Sequence, residues 1–252
     1  MHFSETAFVL SEKPKDNGYD VRIFTPSIEV PFAGHPTLGT AYVIGHFIAK
    51  ETLQEITLNL KVGQINVTCE SQPKNQEILW MKQLQPVFGQ KFSTEFFQDL
   101  LGLGPSDFDT HCPIQEVSTG LPFVIVPLKT LNSVKKARVN QILLSQLTKK
   151  TQSGILIFSP QTYEKENKLN VRVFVDTFGI SEDPATGSGN GCLAAYLSHY
   201  QYFGSRQIDI KVEQGFEIKR PSILHLKTRK IGKNIDVYVG GRVFPIAKGK
   251  LL

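Results

Sequence analysis

Short apolar runs bounded by turn residues open the chain. Thr6-Ala7-Phe8-Val9-Leu10 and Tyr19-Asp20-Val21-Arg22-Ile23-Phe24 are β-type runs separated by Pro14 and by Asn17-Gly18, a dipeptide suited to a tight turn. They predict a hairpin. With Leu10 opposite Tyr19, antiparallel counting sets Glu5 across from Phe24 or Thr25, at the end of the strand that feeds the loop to Gly34 and His35. Further strands are predicted at Ile56 to Leu60, Ile65 to Cys69, Ile78 to Met81, Phe123 to Leu128, Ile155 to Phe158, Val171 to Phe174, Ile208 to Val212 and Asp236 to Val239. Helical spacing is best at Thr37 to Lys50, Ser93 to Leu101, Val139 to Leu147 and Gly189 to Tyr200, the second and last expected to be buried.

The pattern repeats. Val21-Arg22-Ile23-Phe24 precedes Glu29-Val30-Pro31-Phe32-Ala33-Gly34, and Val171-Arg172-Val173-Phe174 precedes Glu182-Asp183-Pro184-Ala185-Thr186-Gly187. Each ends in a small-residue helix containing a tyrosine. Lys61-Val62 before Gln64 and Lys211-Val212 before Gln214 keep an offset of 150, so the match runs through strand, loop, helix and strand. The second half also has Val117-Ser118-Thr119-Gly120-Leu121-Pro122, the apolar strand at Phe123 and a following helix, all without partners. The first half is therefore expected to lack a strand and helix of roughly 33 residues by repeat arithmetic, and Met1 to be an internal methionine of a longer ancestor or a misplaced start. The division is expected between Gln85 and Ser93, giving domains 1–88 and 89–252, with a last strand free to return to the first.

Composition narrows the class. The 252 residues are 40% hydrophobic and 20% charged with net charge +5, and mean hydropathy is −0.13, which excludes disordered, collagen-like and disulfide-scaffold chains. No window approaches the roughly 20 apolar residues of a membrane span, and Met1 to Glu5 lacks a signal-peptide pattern; a cytoplasmic location is expected. Cys69, Cys112 and Cys192 show no Cys-x-x-Cys spacing, and the histidines no metal-ligand spacing, so no metal is predicted. Basic clusters such as Lys135-Lys136-Ala137-Arg138 and Lys149-Lys150 are scattered, which argues against nucleic acid and fits a small anionic substrate equally well.

The chemistry concentrates in two glycine-bearing loops, each directly before a helix: Ala33-Gly34-His35-Pro36-Thr37 and Ala185-Thr186-Gly187-Ser188-Gly189-Asn190-Gly191. Helix-initial N–H groups lack internal partners and suit a carboxylate, although capping and close packing would also explain such loops. Neither phosphate-loop nor dinucleotide spacing is present.

Ser4-Glu5-Thr6, the run from Arg22-Ile23-Phe24-Thr25-Pro26 to Pro31-Phe32-Ala33-Gly34-His35-Pro36-Thr37-Leu38-Gly39, Ser118-Thr119-Gly120, Glu182-Asp183-Pro184-Ala185-Thr186-Gly187-Ser188 and Glu213-Gln214-Gly215 resemble the phenazine-biosynthesis PhzF-like isomerase family across nearly the whole chain. The resemblance implies an α+β, diaminopimelate epimerase-like fold of two pseudo-symmetric domains, each a mixed β-barrel around a central helix. It implies a cofactor-free active site in a cleft between the domains, and a homodimer. Glu5 matches the acid/base that shuttles a proton on one face of the substrate. His35 and Asp183 match the residues that bind its polar groups and stabilise developing charge. Ser188, with the N–H groups of Gly34, Gly187 and Gly189, would hold the substrate carboxylate. Two-thiol racemisation, the fold's other chemistry, needs a cysteine at each helix start, and neither has one. The expected activity is intramolecular proton transfer on a small carboxylate. The alternative is a catalytically inactive paralogue that binds small molecules or a partner, since family members carry an opening strand and helix ahead of Ser4-Glu5-Thr6 that this sequence lacks.

Overall fold

The computed structural model describes residues 5–49, 54–73, 76–175, 180–232 and 234–250. Its chain divides into two units, Met1–Lys82 with Gly240–Leu252, and Gln83–Val239. Residues 83–88, assigned above to the first domain, thus group with the second unit, and the chain end groups with the first. The expectations for Ser4, Lys50 and a start at Met1 lie outside the described residues.

In the first unit, β1 (Thr6–Val9), β2 (Tyr19–Phe24), β4 (Glu55–Leu60), β5 (Gly63–Gln72) and β6 (Gln76–Lys82) form a mixed sheet in that order, with β3 (Glu29–Val30) also on β2. The alternation in Glu55-Ile56-Thr57-Leu58-Asn59-Leu60 turns Ile56, Leu58 and Leu60 inward, as the two-residue period of a strand requires. They pack with Val21, Ile23, Val67 and Leu79 around Ala41 of α1 (Gly34–Val43) and Ile44 of the π-helical turn Ile44–Ala49 that continues it. The expected hairpin forms with Thr6 opposite Phe24 and Val9 opposite Val21. Its turn sits one residue earlier than the Asn17-Gly18 signal. Lys15 and Gly18 exchange backbone hydrogen bonds, and Asp16 (φ 51°) and Asn17 (φ 63°) take the left-handed central positions, which Asp and Asn side chains tolerate.

In the second unit the sheet order is β15 (Asn234–Gly241), β14 (Ser222–Ile231), β13 (Ile208–Gln214), β11 (Leu169–Val175), β10 (Gly154–Ser159), β9 (Pro122–Pro127), β8 (Ile114–Ser118) and β7 (Val87–Phe92), with β12 (Ile180–Asp183) on β11. The last two residues of β15 group with the first unit. Strands β8, β9, β10, β13 and β14 contact α5 (Gly187–His199), which has no Asp, Glu, Lys or Arg and is buried from Gly189 to Ser198. Its glycines matter for packing. A Cβ on Gly191 would lie 2.9 Å from Thr119 Oγ1, and one on Gly189 3.3 Å from the Phe123 ring. On the opposite face of β9 and β10, a second core joins Val124, Val126, Ile155 and Ile157 to α2 (Thr94–Leu101), α3 (Leu131–Lys136) and α4 (Gln141–Thr151).

Every predicted strand and helix is present, but strands β3, β7, β8, β12 and β14 and helix α3 went unpredicted. Charged residues conceal β14: Ser222-Ile223-Leu224-His225-Leu226-Lys227-Thr228 buries Leu224, Leu226 and Thr228 on one face. The expected burial of α2 holds for one stripe, Phe97, Leu100 and Leu101; Glu95 and Asp99 keep its other side polar.

Candidate active site

Glu5 immediately precedes β1, and the hairpin register sets it across from Thr25, as the sequence count expected. Gly34 and His35 are the first two residues of α1. Glu5 Oε2 and His35 Nε2 lie 3.1 Å apart. The two atoms touch without forming an aligned hydrogen bond, and Glu5 Oε2 is shielded from water beside a half-exposed imidazole. A shielded carboxylate oxygen next to a ring nitrogen can accept a proton, while the imidazole can donate to an oxygen that gains charge. The N-cap residue Ala33 offers no side-chain cap to α1, and Thr37 bonds back through Oγ1 to Ala33 O at 2.7 Å.

In the second unit Asp183 ends β12, while Gly187, Ser188 and Gly189 open α5. Thr186, at the N-cap, does not cap the helix with its side chain; its hydroxyl donates instead to Asp183 Oδ2 at 2.5 Å. Asn190 N bonds to Thr186 O, so the helical ladder begins there, and the preceding N–H groups are the ones a helix cannot satisfy itself. No acidic residue occupies the first turn, so the positive end of the helix is not neutralised from within.

Sequence reasoning gave no role to the residues that hold this loop. Gln214, fully buried at the end of β13, accepts from Thr186 N (3.1 Å) and Asn190 Nδ2 (2.7 Å) through Oε1. It donates through Nε2 to Asp183 O (2.7 Å) and Thr186 Oγ1 (2.9 Å). Next to it, the buried Glu213 carboxylate accepts from Tyr163 N, Glu164 N, Asn167 Nδ2 and Asn170 Nδ2 at 2.8 to 3.3 Å. Gly215 has φ +81°, and a Cβ there would fall 2.3 Å from Arg220 O and 2.8 Å from Pro184 O, which makes glycine obligatory. Glu213-Gln214-Gly215 stood out as a motif, but only the fold brings it against Asp183.

Thiol chemistry is disfavoured. Cys192 lies inside α5, fully buried, with burial pushing its pKa up to about 11, and its sulfur donates to Leu121 O at 3.4 Å. Burial also raises the Cys112 thiol. A thiolate is the nucleophile, so both are held in the inert form. Among the described residues no helix is long and apolar enough to cross a membrane.

Comparison with known proteins agrees with the motifs. The phenazine biosynthesis-like protein family model matches residues 1–249. The trans-2,3-dihydro-3-hydroxyanthranilate isomerase of Pseudomonas chlororaphis is 33% identical over 255 residues, covering 100% of this chain and 85% of that protein. A Bacillus anthracis phenazine biosynthesis protein of the PhzF family superposes with a TM-score of 0.86 at 28% identity, over 96% of this chain and 82% of that one. A probable proline racemase from Agrobacterium radiobacter matches with a TM-score of 0.62 at 10% identity, over 98% and 76% of the two chains, and shares the fold alone. With the fold, the ordered motifs and a family match over nearly its whole length in agreement, the chain belongs to the phenazine biosynthesis-like family of isomerases.

Proposed function

We propose that the protein is a cofactor-independent isomerase that moves a proton, and with it a double bond, within a small cyclic carboxylate. The Glu5 carboxylate takes a proton from a substrate carbon. The electron pair left behind enters the adjacent π system, the double bond migrates, and the carboxylic acid so formed returns the proton to a second carbon on the same face. One group suffices, because deprotonation leaves Glu5 as the acid that reprotonation needs. His35 donates to the oxygen that gains charge. Asp183 accepts from a substrate amine or hydroxyl, and Ser188 with the N–H groups of Gly34, Gly187 and Gly189 holds the carboxylate.

The observation that carries this reading is the 3.1 Å approach of the shielded Glu5 oxygen to His35, in a chain whose relative is named for isomerising trans-2,3-dihydro-3-hydroxyanthranilate. That compound, a ring bearing carboxylate, amine and hydroxyl, is the natural first probe. Incubated with the protein in deuterium oxide, it should take up deuterium at carbon, and Glu5→Gln should slow uptake by at least about 100-fold, the lower range for loss of a general base. Unchanged uptake in the folded variant would show the assignment to be wrong. No uptake by the wild type across a panel of cyclic carboxylates would favour the second reading, a non-catalytic binding protein. The observation on that side is the exposure of Phe8 and Leu10, on and beside the strand that Glu5 precedes.

A further inference from the structure

We propose that Gln214 is a positioning residue, setting Asp183 and the first turn of α5 in their working geometry; the proposal rests on the role given above to that loop. All four hydrogen-bonding positions of its side-chain amide are used, and all within the segment Asp183 to Asn190. An amide carries two donors and two acceptor sites on one planar group, and the segment presents two acceptors, Asp183 O and Thr186 Oγ1, and two donors, Thr186 N and Asn190 Nδ2. The amide also sets the direction of the next bond. Because Nε2 donates to Thr186 Oγ1 at 2.9 Å, the hydroxyl proton turns to Asp183 Oδ2 at 2.5 Å. The chain of bonds runs from the Gln214 amide to the Thr186 hydroxyl to the Asp183 carboxylate, in surroundings where such bonds reinforce one another. The same contacts occupy the Thr186 hydroxyl, so the N-cap side chain does not cap the first N–H groups of α5.

Nothing else in the alphabet meets these demands at this length. Glutamate lacks the donors, leucine and methionine lack everything, and asparagine is a carbon shorter. The position corresponding to Gln214 in the first unit is Leu60, not the Gln64 that the constant offset of 150 matched to it: β2 pairs with β4 as Tyr19 with Leu58, and β11 pairs with β13 as Leu169 with Val212. There the strand facing the helix start carries Val30 where the second unit carries Asp183, opposite Ile23 and Val173 respectively. The polar residue at 214 thus accompanies the carboxylate it holds.

The test uses the full-length protein, trans-2,3-dihydro-3-hydroxyanthranilate as probe, and four variants. Gln214→Glu keeps the acceptor for Thr186 N and Asn190 Nδ2 but removes both donors, so the Thr186 hydroxyl should turn towards the new carboxylate and its bond to Asp183 Oδ2 should be lost. The expected result is an Asp183 carboxylate displaced by about 1 Å in the crystal structure and a kcat lower by roughly 100-fold, the cost of a misplacement of that size, with KM changing less. Gln214→Met, if folded, should do the same. Thr186→Val should lower kcat in the same way, and Thr186→Ser should recover most of what valine loses. A Gln214→Glu protein that melts lower but keeps Asp183 in place and kcat intact would overturn the proposal, since that is how a merely structural glutamine behaves. If the wild type exchanges no proton of this probe or of the other cyclic carboxylates in the panel, the functional reading fails while the crystallographic comparison still decides whether Gln214 places Asp183.

Discussion

The two halves of the repeat build the same ion pair and give it opposite surroundings. Arg22 meets Glu29 through two bonds, 3.0 and 2.9 Å, and Arg172 meets Glu182 through two, 2.9 and 2.7 Å. Each guanidinium also sits over the phenylalanine two residues on, Phe24 at 4.9 Å and Phe174 at 5.0 Å. Yet the Arg22 side chain is 51% exposed and that of Arg172 10%. The reason is what lies outside the sheet. In the second unit α3 contacts β10 and β11, and Arg172 Nη1 donates to Val134 O and Ala137 O, both at 3.0 Å. Ile157, opposite Arg172, is 0% exposed, and its strand pairs on the far side with β9. Opposite Arg22 stands Phe8, 51% exposed, and β1 ends its sheet among the described residues. An open groove of about 380 Å³ there is lined by Leu10, Arg22, Glu29, Pro31 and Lys61 with their neighbours.

The comparison teaches that a pairing motif survives a change of dielectric that its energetics do not. Arg22 and Glu29 hold each other in water, where such pairs contribute little. Arg172 and Glu182 are enclosed, so removing one leaves the other buried without compensation. Arg172→Met should therefore destabilise the protein by about 3–5 kcal/mol in urea denaturation, whereas Arg22→Met should leave the midpoint nearly unchanged. Equal effects would break the comparison. Next in size, Ile157→Ala should cost about 2–4 kcal/mol as a cavity in a closed core. Its counterpart Phe8→Ser should cost far less and should reduce self-association on sizing columns, because it removes apolar surface from an edge strand. A Phe8→Ser protein as crippled as Ile157→Ala would mean that this face is covered after all.

The smallest effect is a pH dependence at Asp107, in the second unit. Burial alone would push the Asp107 carboxyl up, but hydrogen bonds from Lys136, Ser133 and the Gly104 N–H, with the Lys136 charge, pull it below its ordinary value. A carboxylate whose pKa is depressed by folding contributes stability that is complete above its unfolded pKa, about 3.9, and is lost as the pH falls through the folded value. Asp107→Asn should thus lower stability at pH 7 and flatten the acid limb below about pH 4. An acid limb of unchanged slope in that variant would remove Asp107 from the account.

Much of this was legible in residue order. The offset of 150 between Val21-Arg22-Ile23-Phe24 and Val171-Arg172-Val173-Phe174 announced a duplicated strand and loop ahead of a helix, but its extension to Lys61-Val62 and Lys211-Val212 fails: Lys61 and Val62 lie in the turn after β4, and the strand pairing matches Leu58 with Val212 and Leu60 with Gln214. Counting along an antiparallel hairpin brought Glu5 to Thr25 within a residue, because register has a period of two and little freedom once the turn is placed. The helix starts at Gly34 and Gly187 were visible as small residues after a β-type run. What needed the tertiary structure was whatever depends on residues far apart in sequence: that Gln214 meets Thr186 and Asp183 across 28 and 31 positions, that Glu213 gathers the backbone of 163–164, and that one of two identical ion pairs is covered by a helix. Local order specifies which groups a strand or loop offers. Burial, and the dielectric and hydrogen-bond partners that come with it, belongs to the packed chain, since it is set by neighbours that no local pattern contains.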